Sequence, residues 1–92
     1  MAECEVTINN RLGLHARAAA KFVHLACRFQ AQVQVARAGR VVDGKSIMGI
    51  LLLAAAQGST ITLSAQGVDA DDAISALRTL VETGFGEDPW NR

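Results

Sequence analysis

The sequence predicts an α+β domain of two layers, a sheet with helices packed on one of its faces. Two observations lead there. Segments that alternate apolar and polar residues interleave with segments whose apolar residues recur at helical spacing, in the order strand, helix, strand, strand, helix, strand, helix (βαββαβα). Alternating strands bury one face, and the helices must supply its cover. The chain is also 92 residues long and 50% hydrophobic, enough for one small domain whose core needs neither a metal nor a disulfide.

The first strand falls at residues 4–8, where Cys4-Glu5-Val6-Thr7-Ile8 alternates. Residues 9–13 have turn chemistry. Over residues 16–27 the spacing changes: Ala19, Phe22, Val23 and Ala26 form an apolar helix face, with Arg17, Lys21, His24 and Arg28 largely elsewhere. The run Ala18-Ala19-Ala20 favours helix by propensity. Alternation returns at residues 31–35, with Gln32 and Gln34 on the wet face. Arg37-Ala38-Gly39 reads as a hairpin turn, because Gly39 can supply a positive φ, and a short strand follows at residues 40–42. Ser46 precedes an apolar helix over residues 47–55. A fourth strand spans residues 60–65. Asp69 caps the last helix, Asp71 and Asp72 lie in its first turn, and Ala73, Ile74, Leu77, Leu80 and Val81 are its core face. Gly84 stops that helix. One domain is therefore expected over residues 1–85, with a flexible C-terminal tail over residues 86–92.

Composition removes several function classes. Nine basic residues balance nine acidic ones, so there is no cationic surface suited to nucleic acid as the main partner. Aromatic residues make up 4% and tyrosine is absent, which argues against base-stacking platforms. No secretory signal is evident at the N-terminus, and the longest apolar run, residues 47–56, is too short to span a bilayer. A cytoplasmic protein with no membrane partner is expected. Cys4 and Cys27 show no metal-binding spacing and read as reduced, small hydrophobes; no metal and no cofactor is expected.

The chemistry concentrates at Gly13-Leu14-His15-Ala16-Arg17-Ala18-Ala19. A helix start offers unpaired N–H groups and the positive end of the macrodipole, both suited to an anion. The planar guanidinium of Arg17 adds a bidentate donor for phosphate. An imidazole there can serve as a transient phosphoryl carrier, a general base, or a plain helix cap. Neither His15 nor Arg17 belongs to the apolar helix face, which weakens the plain reading. No carboxylate or nucleophile lies near His15 in sequence to support an enzyme of its own.

These residues resemble the HPr family, the histidine phosphocarriers of the bacterial phosphoenolpyruvate-dependent phosphotransferase system. The family motif reads Gly-Leu-His-Ala/Thr-Arg-Pro-Ala. A second motif is matched by Gly44-Lys45-Ser46-Ile47-Met48-Gly49-Ile50, and a third by Gln57-Gly58-Ser59-Thr60-Ile61 through Ser64-Ala65-Gln66-Gly67. The likeness runs over residues 5–82 in one register.

The resemblance implies an open-faced β-sandwich, a four-stranded antiparallel sheet covered by three helices. It implies that His15 takes a phosphoryl group on Nδ1 from enzyme I and passes it to an enzyme IIA-type acceptor, with Arg17 neutralising the charge. Such a protein is a substrate of other enzymes rather than an enzyme. Ser46 would be a regulatory phosphorylation site for HPr kinase/phosphorylase, a role compatible with its N-cap position. Ala16, Ala20, His24, Cys27, Ile47, Met48 and Leu51 would form the partner-docking face. A monomer is the natural form for a carrier that docks with several partners. The alternative is a regulatory module acting through Ser46 and the Ile47/Met48 patch without transfer.

Two departures stand out. Ala18 occupies the family's proline position, so the first turn loses a fixed φ but keeps good helix propensity. The lysines frequent in the family near positions 24, 27 and 49 are His24, Cys27 and Gly49 here, giving a less basic face. The segments Asn10-Arg11-Leu12-Gly13-Leu14 and Thr83-Gly84-Phe85-Gly86-Glu87-Asp88 look slightly more like the nitrogen-related NPr branch than the sugar branch, while the Ser46 region looks equally like kinase-regulated carriers.

Overall fold

The computed structural model describes residues 1–86. Its strands are β1 (Ala2–Thr7), β2 (Gln32–Arg37), β3 (Arg40–Asp43) and β4 (Thr60–Gln66), and its helices are α1 (Ala16–Ala26), α2 (Ile47–Leu52) and α3 (Ala70–Glu82), closed by a short 3₁₀ turn at Gly84–Gly86. The strands form one antiparallel sheet in the order β1-β4-β2-β3. The expected open-faced sandwich is therefore the observed architecture. Six residues of the chain (87–92) lie outside the described part, and with them nearly all of the expected tail.

Alternation explains the two layers. Val6 faces Ile61 across the β1–β4 pair, while Val33 faces Ala65 and Val35 faces Leu63 across β2–β4. All six are buried, whereas their sequence neighbours Glu5, Gln32 and Gln34 are exposed on the open face. α1 covers the dry face with Ala18, Ala19, Phe22 and Ala26, and α3 covers it with Ala70, Ala73, Ile74, Leu77 and Val81. Phe22 and Phe85 are the largest fully buried side chains, so the core depends on two aromatic rings surrounded by aliphatics.

Three local details differ from the sequence reading. α2 ends at Leu52 instead of continuing to residue 55. Ala54 adopts a left-handed conformation (φ 50°), and the last carbonyls of the helix find other donors. The Arg37 guanidinium donates to the Leu53 carbonyl at 3.0 Å and the Arg40 guanidinium to the Leu52 carbonyl at 3.4 Å. Asp69 does stand at the N-cap of α3, but its side chain makes no cap bond. It accepts the Gln30 and Ala31 backbone N–H groups instead, each at 2.8 Å, and so ties the α1–β2 loop to the start of α3. Cys27 is the C-cap of α1 with an exposed side chain, rather than a packed hydrophobe, while half-buried Cys4 packs against the core.

The Ala38-Gly39 hairpin has positive φ at both central residues (51° and 85°), the two-residue turn matched to the twist of its strands. Among the described residues no helix is long and apolar enough to cross a membrane, and no cluster of three or more metal-ligating side chains occurs.

Candidate functional site

The segment that delivers His15 is held from several sides. Beyond β1 the chain stays paired, with the Ile8 N–H donating to the Ser59 carbonyl and the Gly58 N–H to the Ile8 carbonyl. The Asn9 side chain donates to the Glu82 carbonyl at the end of α3. Residues 10–13 then form a turn: the Gly13 N–H donates to the Asn10 carbonyl at 3.2 Å, and Asn10 Nδ2 donates to the Gly13 carbonyl at 2.8 Å. Gly13 has a φ of 69°, and a Cβ there would lie 2.5 Å from the Ala55 carbonyl oxygen. Only glycine suits both the conformation and the space. The next amide, of Leu14, donates to that same Ala55 oxygen at 2.9 Å.

His15 is thereby placed as the N-cap of α1, in extended backbone conformation. Its carbonyl accepts the Ala19 N–H at 2.8 Å, the first bond of the helix. Its Nδ1 accepts the Arg17 N–H at 3.3 Å. An accepting Nδ1 carries a lone pair, so a neutral ring holds its proton on Nε2. This nitrogen thus lies at the N-terminus of α1. The first turn of α1 contains no acidic residue, so its positive field is not cancelled locally. The contrast is α3, whose first turn carries Asp71 and Asp72. Arg17, one turn-position inside the helix, is exposed, and Ala18 beside it is fully buried. This arrangement can bind and neutralise a phosphoryl group delivered to Nδ1.

Ser46 lies at the N-cap of α2, where its Oγ accepts the Gly49 N–H at 3.0 Å. The residue before it is tied down as well: Lys45 donates its N–H to Asp43 and its Nζ to the Phe29 carbonyl at 2.8 Å. α2 packs against α1 but buries only Ile50 within its six residues. Ile47, Met48 and Leu52 remain exposed, Met48 by 70% and Leu52 by 59%. A nearly all-apolar helix is therefore turned outward along much of its length. Of the residues assigned to docking, Ala16 and His24 on α1 and Cys27 at its C-cap are exposed, and Ala20 and Leu51 are half-buried.

Sequence reasoning did not name Leu52, although it follows Met48 by one helical turn and shares its side of α2. It also passed over Asn10 as one residue of a turn. No local pattern distinguishes an asparagine that will be buried from one left in water.

A model of the family described as "PTS HPr component phosphorylation site" matches residues 2–83. A phosphocarrier protein HPr of Cupriavidus necator is 52% identical over 87 residues, covering 95% of this chain and 98% of that one. A phosphocarrier protein NPr of Shewanella violacea is 44% identical over 85 residues, covering 92% and 93%. The crystal structure of an HPr from Thermoanaerobacter tengcongensis superposes with a TM-score of 0.92 at 46% identity, covering 96% of this chain and 99% of that one. With this likeness running through the His15 helix start and the Ser46 helix alike, the chain belongs to the PTS-HPr family of phosphocarrier proteins.

Proposed function

We propose that His15 is the phosphoryl acceptor of this carrier, that enzyme I is its donor, and that an enzyme IIA-type protein receives the group. The observation that supports this is the Nδ1 contact with the Arg17 N–H, which puts the ring's lone pair at the uncancelled N-terminus of α1. In the transfer that lone pair attacks phosphorus, an N–P bond forms at Nδ1, and the bond from phosphorus to the donor breaks. The Nε2 proton stays in place. Arg17 neutralises the phosphoryl charge, while the first-turn amides add fixed dipoles. The chain then gives the group up to its acceptor and has no turnover of its own.

The docking face combines Ala16, Ala20 and His24 of α1 and Cys27 at its C-cap with Ile47, Met48 and Leu51 of α2, and Leu52 extends it. Such a face is available in a monomer working in the cytoplasm. Ser46 at the N-cap of α2 is the regulatory acceptor for HPr kinase/phosphorylase, its phosphate lying at the edge of that face. The turn sequence at residues 10–14 favours the nitrogen-related branch as the destination.

Incubation with phosphoenolpyruvate and enzyme I tests the central reading. The expected product is an acid-labile, base-stable phosphate on the parent chain that is lost in His15→Ala and formed slowly in Arg17→Ala. Equal labelling of His15→Ala, or none of the parent, would overturn it. Chase of the label into each type of enzyme IIA decides the branch.

A further inference from the structure

Among the described residues Asn10 is the one polar side chain in the buried class, 5% exposed. It lies five positions before His15, and its bonds reach the segment between them. Asn10 Nδ2 donates to the Gly13 carbonyl at 2.8 Å, and the Asn10 carbonyl accepts the Gly13 N–H at 3.2 Å. Both peptide groups of Gly13 are therefore tied to one residue.

The second of these peptide groups matters most. A peptide unit is planar, so the Gly13 carbonyl and the Leu14 N–H turn together as one plate. Asn10 holds the carbonyl edge of that plate, and the Ala55 oxygen holds its N–H edge at 2.9 Å. The two bonds fix the rotation on either side of the plate, meaning ψ of Gly13 and φ of Leu14. One further peptide, between Leu14 and His15, joins this plate to the N-cap. Asn10 is itself anchored: its neighbour Asn9 donates to the Glu82 carbonyl and accepts from Gln57 Nε2 at 3.2 Å. At the far end of this chain of contacts is the Nδ1 to Arg17 N–H contact, at 3.3 Å beyond the usual hydrogen-bond range and so sensitive to small rotations of the ring.

We infer that Asn10 is a positioning residue for His15, which through the Gly13–Leu14 peptide plate sets where the imidazole lies relative to the N-terminus of α1. This rests on His15 being the phosphoryl acceptor.

Asn10→Asp keeps the shape and removes the donor; Asn10→Ala removes the side-chain contacts altogether. In each, the ring ¹⁵N signals of His15 are recorded on the folded, unphosphorylated chain, with the ring of His24 on the same helix as internal reference. Labelling from enzyme I is timed in parallel. Both variants are expected to shift the His15 tautomer balance away from Nε2–H and to leave His24 unmoved. Both should label roughly tenfold more slowly, the worth of one hydrogen bond.

Leu77→Ala, a core variant in α3, controls for plain loss of stability and should leave the His15 signals in place. If the His15 signals of folded Asn10 variants coincide with the parent's, or if Leu77→Ala moves them equally, Asn10 is only a turn residue and the inference fails. Should Asn10→Ala not fold, Asn10→Ser, with a shorter donor, replaces it and is held to the same result. A parent that takes no label would sink the carrier reading alone, because the ring signals still decide the role of Asn10.

Discussion

Replacing Gly13 by alanine tests how the His15 segment is held. The added Cβ would lie 2.5 Å from the Ala55 oxygen and 2.9 Å from Ala56 Cα, both backbone atoms that cannot swing away. A φ of 69° adds the left-handed penalty for a residue with a Cβ, about 1–2 kcal/mol. Forcing an atom into that space costs about 1–3 kcal/mol more. Moving the two loop segments apart also weakens the bond from the Leu14 N–H to Ala55, worth about 1 kcal/mol. The sum is about 3–6 kcal/mol, a large part of the stability of a small domain. Gly39→Ala is the matched control, since its φ is also positive (85°) but nothing lies within 4 Å of the new atom. It should lose only the conformational part, about 1–2 kcal/mol. Thermal unfolding followed by circular dichroism reads the difference, because 1 kcal/mol moves the midpoint of a domain this size by about 4–8 °C. Gly13→Ala is therefore expected to melt at least about 8 °C below Gly39→Ala. Midpoints within about 3 °C of each other would refute the close approach as the reason for glycine at this position.

Ala18→Pro occupies a first-turn position whose N–H is outside the regular helix bonding, so it should raise stability by about 0.4–1 kcal/mol in thermal melts; a fall would mean that the ring cannot be seated where Ala18 is fully buried. Ala54→Gly should raise the melting midpoint by a few degrees, reversing the usual cost of glycine, because it relieves a φ of 50°. Asp69 gives a pH dependence. The Gln30 N–H, followed by that of Ala31, holds its carboxyl below the usual value. The unfolded chain therefore binds this proton first, near pH ~4, and the native form only at lower pH. The contribution is complete above that range and disappears as pH falls through the folded value. Denaturant midpoints for Asp69→Asn should be lower than the parent's at neutral pH and converge with them on acidification; a constant gap would refute the coupling.

Features of the site that depend on neighbouring residues were legible in the sequence. The placement of His15 at a helix start follows from Gly13 and the alanine-rich run after it, and Ser46 is an N-cap by its own chemistry and position. The outward-facing part of α2 was legible in part. A helix apolar nearly all round cannot be fully buried in so small a domain, but which side remains outside depends on how α1 and β3 meet it. The early end of α2 was not legible, because the Arg37 and Arg40 guanidiniums that take its last carbonyls come from a hairpin more than ten residues earlier.

By itself the sequence determined the order of the elements, the dry faces of β1, β2, β4, α1 and α3, and the two helix starts that carry His15 and Ser46. These follow from periodicity and capping, which act over a few residues and are written in adjacent positions. Only the tertiary structure decided the bonds between distant segments. It turned the carboxylate of Asp69 away from its own helix to residues 30 and 31, buried Asn10 beneath the His15 segment, and pressed Gly13 against Ala55. A backbone donor or acceptor takes whichever partner the packed chain brings within reach, and that depends on the whole fold.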